Sequence, residues 1–127
     1  MIVAGIGCRR GTSAAEIETA IAAALAQAGL ANHKLDLVAT AAFKGDEPGI
    51  VAAAAARGVD LILIAQGDLE RAGGRATRSR RVAELVGVGS VAEAAALAAG
   101  GPAARLVLRR IAIGPATCAL ARSEAAP

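Results

Sequence analysis

A chain of 127 residues, 55% of them hydrophobic, is long enough for one domain with a real core and too short for two. That core must be aliphatic, because Phe43 is the only aromatic residue and the chain contains no Trp or Tyr. The net charge of +3 rests on 14 basic residues, mostly arginine, whose planar fork suits carboxylate and phosphate; with neither aromatic stacking platforms nor a recognisable binding motif, a nucleic-acid partner is not expected.

Ile2 to Ile6 is an apolar run closed by glycine and reads as a short buried strand. Gly5, Gly7 and Gly11 then punctuate a loop holding Cys8, Arg9 and Arg10, and Ser13-Ala-Ala-Glu16 reads as a capping box opening a helix. That helix runs from Ala14 to about Ala28, with Ile17, Ile21 and Leu25 on one face and Gly29 as its stop. Leu35 to Thr40 is a second strand, followed by a loop with Phe43, Lys44, Asp46 and Glu47. Pro48 in a first turn leads into a helix over Ile50 to Arg57. Leu61 to Ala65 is continuously apolar and reads as a strand buried on both faces. A polar, arginine-rich stretch from Gln66 to Ser79 follows, then a short helix around Arg80 to Val86. Ser90 and Glu93 form a second capping box, opening a helix to about Ala99. Leu106–Leu108 and Ala116–Leu120, separated by Gly114-Pro115, read as a hairpin. Strands alternating with helices predict an α/β fold: one three-layer domain over residues 1–127, its sheet mostly parallel with a C-terminal antiparallel hairpin, and its last few residues disordered.

No segment approaches the length of a membrane span, and the charge of Arg9 and Arg10 follows the first apolar run rather than preceding it, as a secretory signal would require. A cytoplasmic protein without a membrane partner is therefore expected. Cys8 and Cys118 lie near opposite ends of the chain, with no CxxC or Cys/His cluster, so neither a disulfide framework nor a metal site is expected. His33, the single histidine, falls in a polar linker and cannot build a triad.

The strand-to-loop junctions carry the chemistry. A loop that feeds a helix N-terminus favours anions, and Arg9 and Arg10 add two full charges there. Cys8, ahead of that helix and beside the arginines, is expected to have a lowered pKa and to outreact Cys118; the plainer account is a small residue in a tight turn. Lys44 opposes the dipole of the helix it precedes, which points to an anionic partner, whereas Asp46 and Glu47 favour that dipole. Both loops fall at the carboxyl ends of parallel strands, where ligands bind in open α/β sheets. The glycine spacing also invites a dinucleotide-binding reading, but no acidic residue ends the second strand, and no Gly-Lys-Ser/Thr follows for a phosphate loop.

Four segments in register, GIGCRRG, ATAAFKGDEPGI, VGVGSVAEAAAL and ATCALAR, make the chain resemble the cobalamin-biosynthesis family of CobE and the CbiG C-terminal domain, from Gly5 to Arg122. Two places depart from the family pattern: the arginine-rich stretch Asp68 to Arg81, and Cys118 where an aliphatic residue is usual. The resemblance implies a stand-alone, CobE-like domain handling a precorrin or corrin intermediate in the aerobic pathway, without a cofactor. Two activities stay open. One is a CbiG-like hydrolase opening a precorrin lactone; the other is a non-catalytic carrier serving a precorrin methyltransferase. Carried over position by position, it implies ligand contacts at Gly7, Cys8, Arg9, Arg10, Lys44, Asp46, Glu47, Ser90 and Thr117. Glu47 is the candidate catalytic residue, because hydrolysis needs a carboxylate to activate water.

Overall fold

The computed structural model describes residues 1–78 and 91–123. Five strands form one mixed sheet, in the order β3-β2-β1-β5-β4. The strands are β1 (Ile2–Cys8), β2 (Leu37–Ala41), β3 (Asp60–Ile64), β4 (Arg105–Ile113) and β5 (Ala116–Arg122). β1 pairs with β2 and β2 with β3 in parallel, whereas β5 is antiparallel to both β1 and β4. Four strands therefore point one way and β5 alone opposes them. The expected hairpin is present, and its second strand inserts beside β1.

Helices α1 (Ala14–Gln27) and α2 (Pro48–Arg57) cover one face; α3 (Gln66–Arg78) and α4 (Val91–Gly100) cover the other. The alternation of β1 sorts its side chains between these layers. Ile2, Ala4 and Ile6 meet Ile17, Ile21 and Leu25 of α1, while Val3 faces the alanines of α4. Gly5 carries the closest approach: a Cβ there would lie 2.0 Å from the Ala92 carbonyl oxygen, so α4 rests directly on the strand backbone. The capping box of α1 forms as expected, Ser13 accepting the Glu16 N–H through Oγ at 3.1 Å and Glu16 accepting the Ser13 N–H at 3.0 Å. Arg57 forks onto Glu18 with hydrogen bonds of 2.7 to 3.0 Å, tying the end of α2 to α1.

Several elements differ from the sequence reading. β1 runs on to Cys8, past Ile6, and β4 spans Arg105–Ile113 instead of Leu106–Leu108. β2 begins at Leu37, not Leu35. β3 is not buried on both faces: it is an edge strand, and Asp60 and Leu63 are exposed. Its apolar run reflects a strand whose two flanks are unequally covered. The stretch beginning at Gln66 is helical despite Gly73-Gly74. Leu69 and Ala72 bury one side of α3 against α4, and Gln66–Glu70 and Asp68–Arg71 pairs line its exposed side. The helix expected over Arg80–Val86, Ser90 of the second capping box and the last residues expected to be disordered lie outside the described residues. Among the described residues, no helix is long and apolar enough to cross a membrane.

Candidate functional site at the carboxyl edge of the sheet

The parallel strands end together, and each hands over to a loop or helix start at the same edge. Cys8 closes β1, Ala41 closes β2 and Ile64 closes β3; the chain then enters α1, α2 and α3. α4 runs back along β1, with the Ala92 nitrogen 4.0 Å from where a Gly7 Cβ would stand and Gly100 packed near Val3, so its N-terminus faces this edge too. The antiparallel β5 starts here, with Ala116 opposite Cys8 and Thr117 opposite Gly7. Four helix N-termini thus direct partial positive charge to one place.

Loop one (residues 9–13) and loop two (residues 42–47) are bound to each other. The Gly11 N–H donates to Glu47 Oε1 at 3.0 Å, across 36 residues of chain. Gly49, in the first turn of α2, lets the Thr12 carbonyl oxygen approach so closely that a Cβ would lie 2.1 Å from it. Thr12 is buried and donates through Oγ1 to the Arg9 carbonyl at 2.6 Å, while the Arg9 N–H donates to the Pro115 carbonyl at 3.0 Å. The hairpin turn therefore braces loop one from the far side. Gly11 itself has φ +81°, a left-handed conformation that disfavours any side chain.

On this frame Arg9 and Arg10 are exposed and Lys44 half-buried, and among the described residues no carboxylate pairs with any of them. Asp46 is exposed between Lys44 and Glu47. Glu47 is buried at the N-cap of α2, but its side chain makes no hydrogen bond to that helix; its structural partner is loop one. Gly7 has a packing reason for its size, since a Cβ would lie 2.8 Å from Thr117 Oγ1, which donates to the Gly7 carbonyl at 3.2 Å. Ser90 lies outside the described residues. Glu93, read as a cap, is 1% exposed and accepts the Arg110 N–H of β4 at 3.0 Å, a tie between elements that a local reading does not contain.

Cys8 corrects the electrostatic expectation. Its pKa is raised, not lowered: burial dominates, hydrogen bonding with Thr12 and the charge of Lys44 pull downward, and Glu47 adds to the rise. Cys118, wholly buried in β5, is pushed up to about 12 by burial. Burial, not thiolate stabilisation, is what separates the two thiols: Cys8 is half-buried and Cys118 buried. Both thiols are free, although the register makes them diagonal neighbours: Cys118 faces Ile6, and Cys8 faces Ala116.

Sequence reasoning gave no role to Thr12, Thr40 or Phe43. Thr40 is fully buried and donates to the Ile6 carbonyl at 2.8 Å, linking β2 to β1 where the hydrogen-bond ladder ends. Phe43 sits in a single 3-10 turn (Ala42–Lys44) and is 63% exposed. A lone aromatic inside a charged loop was the available signal. A shallow groove of about 200 Å³, lined by Ala15, Glu16, Thr19, Ile113, Gly114 and Pro115, lies beside loop one, below the usual size of a small-molecule pocket.

This edge sits in the segments that carried the family resemblance, and comparison with known proteins decides the family. The family described as cobalamin synthesis G C-terminus matches residues 2–121. The chain belongs to this family of cobalamin-biosynthesis proteins. It is 39% identical over 121 residues to Protein CobE of Sinorhizobium sp., covering 94% of this chain and 79% of that protein. Among solved structures, cobalamin biosynthesis protein chiG of Agrobacterium tumefaciens str. C58 is 40% identical with a TM-score of 0.81, over 98% of this chain and 100% of that one. The structure of CobE, from the cobalamin (vitamin B12) biosynthetic pathway, is 33% identical with a TM-score of 0.81, over 96% and 89% of the two chains. A cobalamin biosynthesis protein G homologue of Sulfolobus solfataricus shares the fold at 24% identity and a TM-score of 0.69, with only 37% of its own length matched. The family's fold thus occurs both as most of a chain and as part of a longer one.

Proposed function

We propose that this cobalamin-biosynthesis protein binds a precorrin-type tetrapyrrole on the carboxyl edge of its sheet and hands it on without transforming it. The observation carrying the reading is the placement of Arg9, Arg10 and Lys44, without carboxylate partners among the described residues, on two loops joined by the Gly11–Glu47 hydrogen bond. A precorrin is a broad ring fringed with acetate and propionate groups. It needs several cations on a rigid rim, and the helix N-termini reinforce them. Gly7, Cys8, Asp46 and Thr117 border this rim, and Ser90 joins it by family resemblance.

Carriage is favoured over lactone hydrolysis by the state of the candidate groups. Glu47 already accepts a backbone hydrogen bond and is 7% exposed, so it is poorly placed to activate water. The raised pKa of Cys8 keeps its thiol protonated near neutral pH, which removes the thiolate a nucleophilic route requires. A carrier implies a receiver, and a precorrin methyltransferase in the cytoplasm is the proposed partner.

The test mixes purified protein with isolated precorrin intermediates and follows co-elution on a size column together with ligand mass. Co-elution at unchanged mass is the expected result. A changed mass restores the hydrolase reading, and elution of protein and ligand apart defeats both.

A further inference from the structure

In a chain whose core is entirely aliphatic, the one aromatic side chain stands in solvent. Phe43 is 63% exposed on loop two, immediately before Lys44. Its surroundings are also unusual. Of the large hydrophobic residues exposed among the described residues, Phe43, Val51 and Leu63 come from loop two, the start of α2 and the end of β3; Met1 and Val107 lie elsewhere in the sequence. Leu63 is 48% exposed and packs against loop two: a Cβ on Gly45 would lie 2.8 Å from Leu63 Cδ1. The turn that presents Phe43 therefore lies beside the exposed apolar side chain of Leu63. Exposed apolar surface bordered by cations matches a ligand with an apolar face and an anionic rim.

We propose that Phe43 is a stacking platform, receiving one face of a flat conjugated macrocycle, while Lys44, Arg9 and Arg10 take its peripheral carboxylates. This rests on the tetrapyrrole reading of the same edge and assigns the specificity for a ring, as opposed to any polycarboxylate, to one side chain. An aromatic ring offers a conjugated face a large, rigid contact that the arginines alone do not provide.

The test uses the full chain and uroporphyrin, a flat tetrapyrrole fringed with carboxylates. Because Phe43 and His33 are the only residues with aromatic ring protons in the sequence, the only carbon-bound protons that the protein contributes to the aromatic region of its NMR spectrum in D2O come from these two side chains. His33 lies between α1 and β2, near the opposite edge, where the Asp36 N–H donates to the Ile2 carbonyl. On saturation the Phe43 ring signals should move strongly upfield, under the ring current of the macrocycle, while those of His33 stay in place. Phe43→Ala should weaken binding tenfold or more, equivalent to ~1.4 kcal/mol, with an unchanged urea midpoint, and Phe43→Trp should restore it. Unmoved Phe43 signals at saturation, or full affinity in Phe43→Ala, overturn the platform; loss of binding in the Arg9→Ala/Arg10→Ala variant would then keep the edge as the site. If the wild-type protein does not bind uroporphyrin, the platform falls, and co-elution with precorrin intermediates decides the tetrapyrrole reading by itself.

Discussion

The Gly11 N–H donates to Glu47 Oε1 at 3.0 Å, and this bond ties the arginine loop to the lysine loop, beside the close packing of Thr12 on Gly49. Glu47→Ala removes the acceptor and should destabilise the protein by roughly 1.5–3 kcal/mol, the range for hydrogen bonds to charged groups. Glu47→Gln keeps an acceptor oxygen and should lose less than about 1 kcal/mol. Urea unfolding of both variants measures the difference. Pathway complementation adds a second readout: a well-folded Glu47→Gln protein that fails to complement would reinstate Glu47 as a catalytic residue.

Arg9 holds loop one through its backbone, its N–H donating to Pro115 and its carbonyl accepting from Thr12, and among the described residues neither the Arg9 nor the Arg10 side chain pairs with a carboxylate. Truncating both side chains to Ala should therefore leave the unfolding midpoint nearly unchanged. Affinity for a tetrapyrrole carboxylate should fall well over tenfold, since each charge-assisted bond contributes roughly 1.5–3 kcal/mol. Isothermal titration at two salt concentrations checks both the loss and its electrostatic origin.

Cys118 makes stability depend on alkaline pH. Its pKa rises from an ordinary 9.0 to about 12 on folding, so between those values the native state holds a proton that the unfolded chain has released. Stability from this group is complete below pH 9 and is lost as pH climbs towards 12. Cys118→Ala should flatten that decline while lowering stability at neutral pH through the cavity it leaves. In the native protein, iodoacetamide should label Cys8 slowly and Cys118 not at all, with the Cys8 rate increasing at alkaline pH. Faster labelling of Cys118 would contradict the burial argument.

Two glycines should respond oppositely to Ala. At Gly5 the new Cβ would meet the Ala92 carbonyl, so α4 must lift from β1 at a cost of about 3 kcal/mol. At Gly73, inside α3, a Cβ meets nothing within 4 Å among the described residues, and the change should stabilise by roughly 0.5–1 kcal/mol. Thermal unfolding of the pair is the measurement.

Glu93→Ala should destabilise by roughly 1–3 kcal/mol, because it removes the buried carboxylate that accepts the Arg110 N–H and leaves that donor without it. A surface cap would tolerate that change, so an unaltered unfolding midpoint would show that the tie to β4 contributes little.

What the sequence by itself determined is whatever closes over a few neighbouring residues. Ser13 and Glu16 meet three positions apart, Pro48 and Gly58 bracket α2, and Gly114-Pro115 turns a hairpin, so each could be read without knowledge of the rest of the chain. Two of the family segments, GIGCRRG and ATAAFKGDEPGI, likewise mark the two loops that the fold joins at one edge. Only the tertiary structure decided what depends on distant partners. β3 is an edge strand because β4 and β5 add beside β1 instead, and no local pattern in Asp60–Ile64 records that choice. α3 survives Gly73-Gly74 because α4 buries Leu69 and Ala72. Glu47 and Glu93 look alike as acids at helix starts, yet one binds a loop 36 residues away and the other a strand 17 residues away. Cys8 shows the same division in its electrostatics. The flanking arginines and the helix start predicted a lowered pKa, but desolvation arises from the packing of the whole domain, and here it outweighs the Thr12 hydrogen bond and the Lys44 charge that pull downward.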